Sequence, residues 1–148
     1  NIIHCNNWPT ALVPVFLRTL YGGERHFAGV STVLTLHNIA HQGEFPPESM
    51  VLTGLDWSFF NSRQVSLNGK FNFLKAGIVF ADIVNTVSAA YKRDILTKKS
   101  SFGLSEILRS RGGALTSVRN GIDYEIWNPE RIISGINTTR MTLTRTKS

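Results

Sequence analysis

Short β-rich runs alternate along this chain with segments whose apolar residues recur every three or four positions, and that alternation narrows the available folds more than any other feature. Val30 to Leu36 reads Val-Ser-Thr-Val-Leu-Thr-Leu, short and rich in β-branched residues, so a strand is expected. Ile2-Ile3-His4-Cys5 reads as the end of a buried strand, Ile83 to Val87 as another and Ala114 to Val118 as the last. Between them, Leu12, Val15, Phe16, Thr19 and Leu20 form one apolar stripe that Gly22-Gly23 should stop, with Asn6-Asn7 as an N-cap and Pro9 near the first turn. Leu74, Ile78 and Ala81 share a face of a helix over 71–81, Ser88 caps a helix running to about Thr97, and Leu104, Ile107 and Leu108 point inward from a helix that ends at Gly112-Gly113. The class is therefore α/β, a Rossmann-like parallel sheet with flanking helices, expected to be covered on both faces.

In such sheets ligands bind beyond the carboxyl ends of the strands. That rule nominates Asn6-Asn7-Trp8 after the first strand, His37-Asn38 after the second and Asn120-Gly121 after the last, each joining a hydrogen-bonding side chain to a residue able to cap or turn the backbone. Residues 39–72 are irregular, punctuated by Gly43, Pro46-Pro47, Gly54 and Gly69, and read as a long excursion with at most short helices. Long ordered excursions in compact domains are usually functional.

Charge and cysteine content remove several function classes. The net charge is +6, and all of it falls after residue 90, with Arg131, Arg140, Arg145 and Lys147 unopposed in the last eighteen residues. A basic end of this kind could touch nucleic acid, but no aromatic residue there could stack on a base, so a solvated chain end is preferred and no nucleic-acid partner is expected. Cys5 is the single cysteine, which permits no intrachain disulfide and fits a reducing, cytoplasmic setting. No apolar run approaches the roughly 18 residues a bilayer crossing needs, so no membrane partner is expected. The first residue is Asn1 and a strand is already in progress at Ile2, so the chain reads as part of a larger structure, with a free sheet edge and uncovered apolar faces that favour association.

Candidate chemistries follow from what is present and what is not. His37 and His41 stand four apart, but Asn38 occupies the position where a zinc protease needs a glutamate, and the preceding strand and following Pro46-Pro47 argue against a helix, so no metal site is expected. The Gly-x-Ser-x-Gly elbow, the phosphate loop ending in Gly-Lys-Ser/Thr and any Cys-x-x-Cys pair are missing, and no cofactor is implied. His37 reads either as a structural histidine or as a ligand contact, Trp8 either as core or as a platform for a sugar, and Lys75 by default as a solvated lysine.

Several segments carry more than a fold class. Leu34-Thr-Leu-His-Asn-Ile-Ala-His-Gln-Gly-Glu-Phe-Pro46 and Gly69-Lys-Phe-Asn-Phe-Leu-Lys-Ala-Gly77 strongly resemble the bacterial glycogen synthase and starch synthase family. Ala81-Asp82, Asn85-Thr-Val-Ser88, Phe102-Gly-Leu104, Asn120-Gly-Ile-Asp123 and Trp127-Asn-Pro129 continue in the same order, collinear over about residues 2–130. The resemblance implies a two-domain GT-B glycosyltransferase that transfers glucose from ADP-glucose to the 4-position of an α-1,4-glucan with retention. Residues 1–130 would be the second half of its N-terminal, glucan-binding domain, and 131–148 a divergent basic tail at the crossover to the nucleotide-binding domain. By that resemblance His37 is the catalytic-site histidine beside the transferred glucose, where an imidazole can donate to a sugar hydroxyl and stabilise developing charge. Asn38 holds the loop or contacts the sugar, Asn7 and Trp8 face the acceptor, and Asn120-Gly121 lies next to the donor. Lys75 matches a lysine of the family with no assigned chemistry.

The departures are specific. The family's aspartate before the tryptophan is Asn7, the histidine after it is Pro9, Arg119 replaces an aliphatic residue and Ala89 a proline. The Lys-x-Gly-Gly-Leu donor loop and the arginine, lysine and glutamate of the second domain are not in this sequence. Each domain of such a transferase needs on the order of 200 residues, so the chain is expected to be a fragment, inactive in isolation. The alternative is a non-catalytic glucan-binding or regulatory module.

Overall fold

The structure, a computed structural model, describes residues 1–123 and Trp127. In chain order it comprises strand β1 (Ile2–Asn6), helix α1 (Leu12–Arg18), strands β2 (Ser31–Leu36), β3 (Glu44–Phe45), β4 (Ser66–Leu67) and β5 (Lys70–Asn72), helix α2 (Phe73–Phe80), strand β6 (Ile83–Thr86), helices α3 (Ala89–Ile95) and α4 (Ser105–Ser110), and strand β7 (Leu115–Ser117). Short 3-10 turns lie at Trp8–Thr10, Arg25–Phe27, Pro47–Thr53, Trp57–Phe59 and Gly112–Ala114. Each expected strand and helix is present, and Ser88 caps α3 by accepting from the Tyr91 amide at 3.0 Å. The proposed tail, residues 131–148, lies outside the described residues.

The start of the first helix differs from expectation. Asn7 adopts φ 56° and its side chain caps nothing, so Trp8–Thr10 makes a 3-10 turn and α1 begins only at Leu12. The reason is competition: the Asn7 carboxamide oxygen accepts from the backbone beyond β2 and cannot also fold back onto its own helix. The helix also ends before Gly22-Gly23, where the Thr19 hydroxyl donates to the Val15 carbonyl at 2.8 Å, and Leu20 is left half-exposed.

Strands β1, β2, β6 and β7 form one parallel sheet in that order. Their order follows the chain without reversal, and right-handed crossovers that advance in one direction place their helices on one face. Buried side chains agree. Cys5, Leu34, Leu36, Val84 and Leu115, all on one side of the pleat, join Leu74, Ile78, Ile95, Leu104 and Leu108 in a single core. On the opposite side Ile2, His4, Ser31 and Ile83 are exposed and the buried Asn85 Oδ1 has no hydrogen-bond partner. Among the described residues, then, the sheet is covered on one face rather than both.

The excursion holds a small antiparallel sheet, β3-β5-β4, that the sequence did not announce, because strands of two or three residues are too short to show an alternation. It packs a second apolar cluster, Leu12, Val15, Met50, Leu55, Val65, Phe71 and Ala76, against the far side of α2. Helix α2 is thus buried on both sides. At Gly77 a β-carbon would meet the Ala11 β-carbon and carbonyl at 2.7 Å and a Leu34 methyl at 2.9 Å, so only glycine permits this approach of α2 to the Ala11 turn and the sheet.

Two charged groups organise the ends of these elements. At the start of β6, Asp82 accepts from the Thr32 amide and hydroxyl at 2.7 and 2.9 Å and pairs with Arg18. Burial pushes its carboxyl up, but the Thr32 contacts and the Arg18 guanidinium outweigh that and hold it below the ordinary aspartate range.

Lys75 is not the solvated lysine expected by default. It is 4% exposed, and its ammonium donates to the carbonyls of Ser62 at 2.5 Å and Ser66 at 2.6 Å, tying α2 to the 61–67 turn. Burial lowers its pKa. Lys75→Met keeps most of the stem but strands two carbonyls, so urea unfolding should show a loss of about 2–4 kcal/mol; a variant as stable as the parent chain would show that the ammonium does not hold the turn. The lowered pKa adds a pH signature. The cost of burying the charge is present in full below the folded pKa and fades as pH rises toward the usual lysine value of 10.5, so stability should rise across that window in the parent chain and not in the variant.

Candidate functional site

The carboxyl ends of the parallel strands bring together Asn7 and Trp8 beyond β1 and His37 and Asn38 beyond β2. These four lie on neighbouring strands, with Asn6 opposite Thr35 in the register. The turn that follows β2 is held to an unusual degree by side chains. Four successive amides each find a side-chain acceptor: His37 and Asn38 donate to Asn7 Oδ1 at 2.9 and 3.4 Å, Ile39 to the Tyr91 hydroxyl at 2.8 Å, and Ala40 to Asn38 Oδ1 at 3.0 Å. The backbone of the turn is therefore fixed while the His37 and Asn38 side chains remain exposed to whatever occupies the site.

Asn7 is thereby explained. Its role in this arrangement is that of an acceptor for two backbone amides, which an amide oxygen performs as well as a carboxylate oxygen does. An aspartate at this position would offer the same acceptor together with a negative charge. Its backbone, φ 56° and ψ −171°, lies outside the left-handed helical well in a region that residues other than glycine rarely enter, and the contacts to the turn beyond β2 help to hold it there.

The His37 ring is oriented by Asn6, whose Oδ1 lies 2.9 Å from Nε2. A carboxamide oxygen can only accept, so the neutral ring making this contact carries its proton on Nε2 and offers Nδ1 as a lone pair. With Nε2 engaged by Asn6, Nδ1 is the ring nitrogen left to face a ligand.

Trp8 packs against the core on one side and is open to a pocket on the other. Its indole rests on Gly43, where a β-carbon would come within 2.4 Å of the ring, and packs against Phe45 and Phe73 with centroids 6.0 and 6.4 Å away. It also lines a pocket of about 670 Å3 with Ala40, His41, Gln42, Gly43, Glu44, Phe45 and Phe102. Sequence reasoning passed over Tyr91, Gln42, Phe45 and Phe102 as site residues. Tyr91 comes from a distant segment outside those that carry the resemblance, while Gln42, Phe45 and Phe102 sit within such segments without a pattern to single them out.

Asn120 and Gly121 are exposed beyond β7, on the far side of β6 from β2, where the Asn120 amide donates to the Val87 carbonyl at 3.3 Å. They share the sheet's carboxyl end with His37 but belong to a separate strand end. Among the described residues no group of three or more His, Cys, Asp or Glu could hold a metal ion.

The fixed turn yields a direct test. Asn7→Ala removes the shared acceptor, so amide hydrogen exchange at His37 should accelerate about tenfold, whereas Asn7→Asp should stay near the parent rate. Equal protection in all three chains would mean that Asn7 does not hold the turn.

Comparison with known proteins agrees with this geometry. The family model described as starch synthase catalytic domain matches residues 1–110. The glycogen synthase of Koribacter versatilis is 44% identical over 130 residues, covering 88% of this chain and 27% of that protein. The glycogen synthase of Thermodesulfovibrio yellowstonii is 46% identical over 130 residues, covering 88% and 26%. A solved structure, the catalytic domain of Starch Synthase IV from Arabidopsis thaliana bound to ADP and acarbose, superposes with a TM-score of 0.78 at 30% identity over 87% of this chain and 27% of that one. The chain thus spans about a quarter of the length of these relatives. With the family model matching most of its length and these relatives agreeing in sequence and fold, the chain belongs to the family of the starch synthase catalytic domain.

Proposed function

We propose that this chain is the glucan-side part of a retaining glucosyltransferase, one that moves glucose from ADP-glucose onto the 4-position of an α-1,4-glucan within a two-domain GT-B enzyme. The observation that carries the reading is the His37 turn, immobilised by Asn7, Asn38 and Tyr91 beside the pocket lined by Trp8. Relatives named glycogen synthase, and a starch synthase structure holding ADP and acarbose, supply the substrate classes.

In this reading residues 1–130 form the second half of the glucan-binding domain and 131–148 belong to the crossover. His37 sits beside the transferred glucose, and its fixed backbone supplies the preorganisation on which electrostatic catalysis depends. Asn38, whose Oδ1 is engaged by the Ala40 amide, keeps its Nδ2 for a sugar hydroxyl. Trp8 offers an indole to a pyranose face on the acceptor side, and Asn120-Gly121 borders the donor. The buried thiol of Cys5 fits a reducing, cytoplasmic compartment.

Turnover needs charge stabilisation at the leaving diphosphate, and among the described residues no lysine or arginine lines the pocket beside the His37 turn to provide it. The isolated chain should therefore bind glucan and not transfer glucose. In affinity electrophoresis the 148-residue chain should be retarded by glycogen in the gel, and with ADP-glucose and glycogen it should release no ADP. Unchanged mobility would overturn the glucan-side assignment. Measurable transfer by the chain alone would overturn its dependence on a partner domain.

A further inference from the structure

We infer that Phe102 is a sugar-contacting residue, forming with Trp8 and Phe45 a subsite for a neutral glucosyl ring, and that Gln42 is the positioning residue that holds it there. The inference rests on the glucan-side reading above and adds to it a residue from a separate segment of the chain.

The first observation is strain. Phe102 has φ 48°, in the left-handed region that a bulky aromatic residue rarely enters, and its side chain is 57% exposed, so burial does not offset the cost. Strained positions persist where the surroundings over-determine them, and they cluster at functional sites.

The second observation is what over-determines it. The Lys75 amide donates to Asn72 Oδ1 at 2.8 Å, Asn72 Nδ2 donates to Gln42 Oε1 at 2.6 Å, and Gln42 Nε2 donates to the Phe102 carbonyl at 3.1 Å. A backbone N–H can only donate, so the orientation of both carboxamides is forced from the first link to the last. Asn72 and Gln42 are 0% and 6% exposed, and each would be costly to leave unpaired. The chain of bonds starts at the first turn of α2 and ends on the pocket wall, which fixes the strained carbonyl from inside the protein.

The third is the chemistry of the pocket. Trp8, Phe45 and Phe102 supply apolar surfaces, while His41, Gln42 and Glu44 supply hydrogen-bonding groups. Pyranose rings present apolar C–H faces and a rim of hydroxyls, and match that combination. Among the described residues no lysine or arginine lines the pocket, and the Glu44 carboxylate on its wall holds Lys70 in an ion pair at 3.2 Å, so a phosphate or nucleotide is a poor fit. Its volume, about 670 Å3, lies within the range of small-molecule sites.

The test uses maltoheptaose and the 148-residue chain, with affinity measured by calorimetry and stability by urea unfolding. Phe102→Gly relieves the left-handed strain while deleting the ring, so it should unfold at higher urea yet bind about five- to tenfold more weakly, a divergence that a purely structural residue does not produce. Phe102→Trp should keep the parent affinity within about twofold. Gln42→Ala should also weaken binding, and should add no further loss in the Phe102→Gly background, because both changes act through one ring. Unchanged affinity of Phe102→Gly would overturn the subsite while leaving the glucan-side reading standing. Failure of the unaltered chain to bind maltoheptaose would overturn both.

Discussion

Helix α2 is buried on both sides, and the rest of the structure depends on that constraint. Leu74 and Ile78 face the parallel sheet, while Ala76, flanked by Phe73 and Phe80, faces α1 and the 44–72 excursion. A helix apolar all round cannot be satisfied by one partner layer. The excursion is therefore a second layer, and its small antiparallel sheet exists to close over the outer face of α2. Gly77 allows the close approach on the inner side, and Asn72 and Lys75 secure the start of the helix and the turn that lies against it.

The order of the parallel strands imposes a second constraint. Because β1, β2, β6 and β7 follow one another in space as in sequence, their helices collect on one face. A doubly wound sheet needs a reversal of strand order to place helices on the other, and among the described residues there is none. The exposed Ile2 and Ile83, and the unpartnered Asn85 oxygen, mark the side where this piece of fold ends. That agrees with a chain spanning about a quarter of its relatives.

The site inherits its rigidity from both constraints. Asn7 and His37 meet because β1 and β2 are adjacent and in register, and Tyr91 reaches Ile39 from α3 because that helix follows the neighbouring strand β6. The buried carboxamides of Asn72 and Gln42 link α2 to the pocket, so the helix that organises the core also sets one wall of the site. The His37 and Asn38 side chains are left exposed on a backbone with little freedom, the arrangement that preorganisation requires.

The sequence by itself determined the α/β class, the order of its main strands and helices, and the Ser88 cap. These are local properties: a β-branched run, a spacing of three and four, an oxygen one residue before a helix. It could not determine what depends on a distant partner. Asn7 looked like a helix cap until the turn beyond β2 claimed its oxygen. Lys75 looked solvated until the 61–67 turn enclosed it, and β3, β4 and β5 were too short to show a pattern until they paired. Only the tertiary structure decided these, because a donor or acceptor is committed by the nearest competing group in space, and that competition is invisible along the chain.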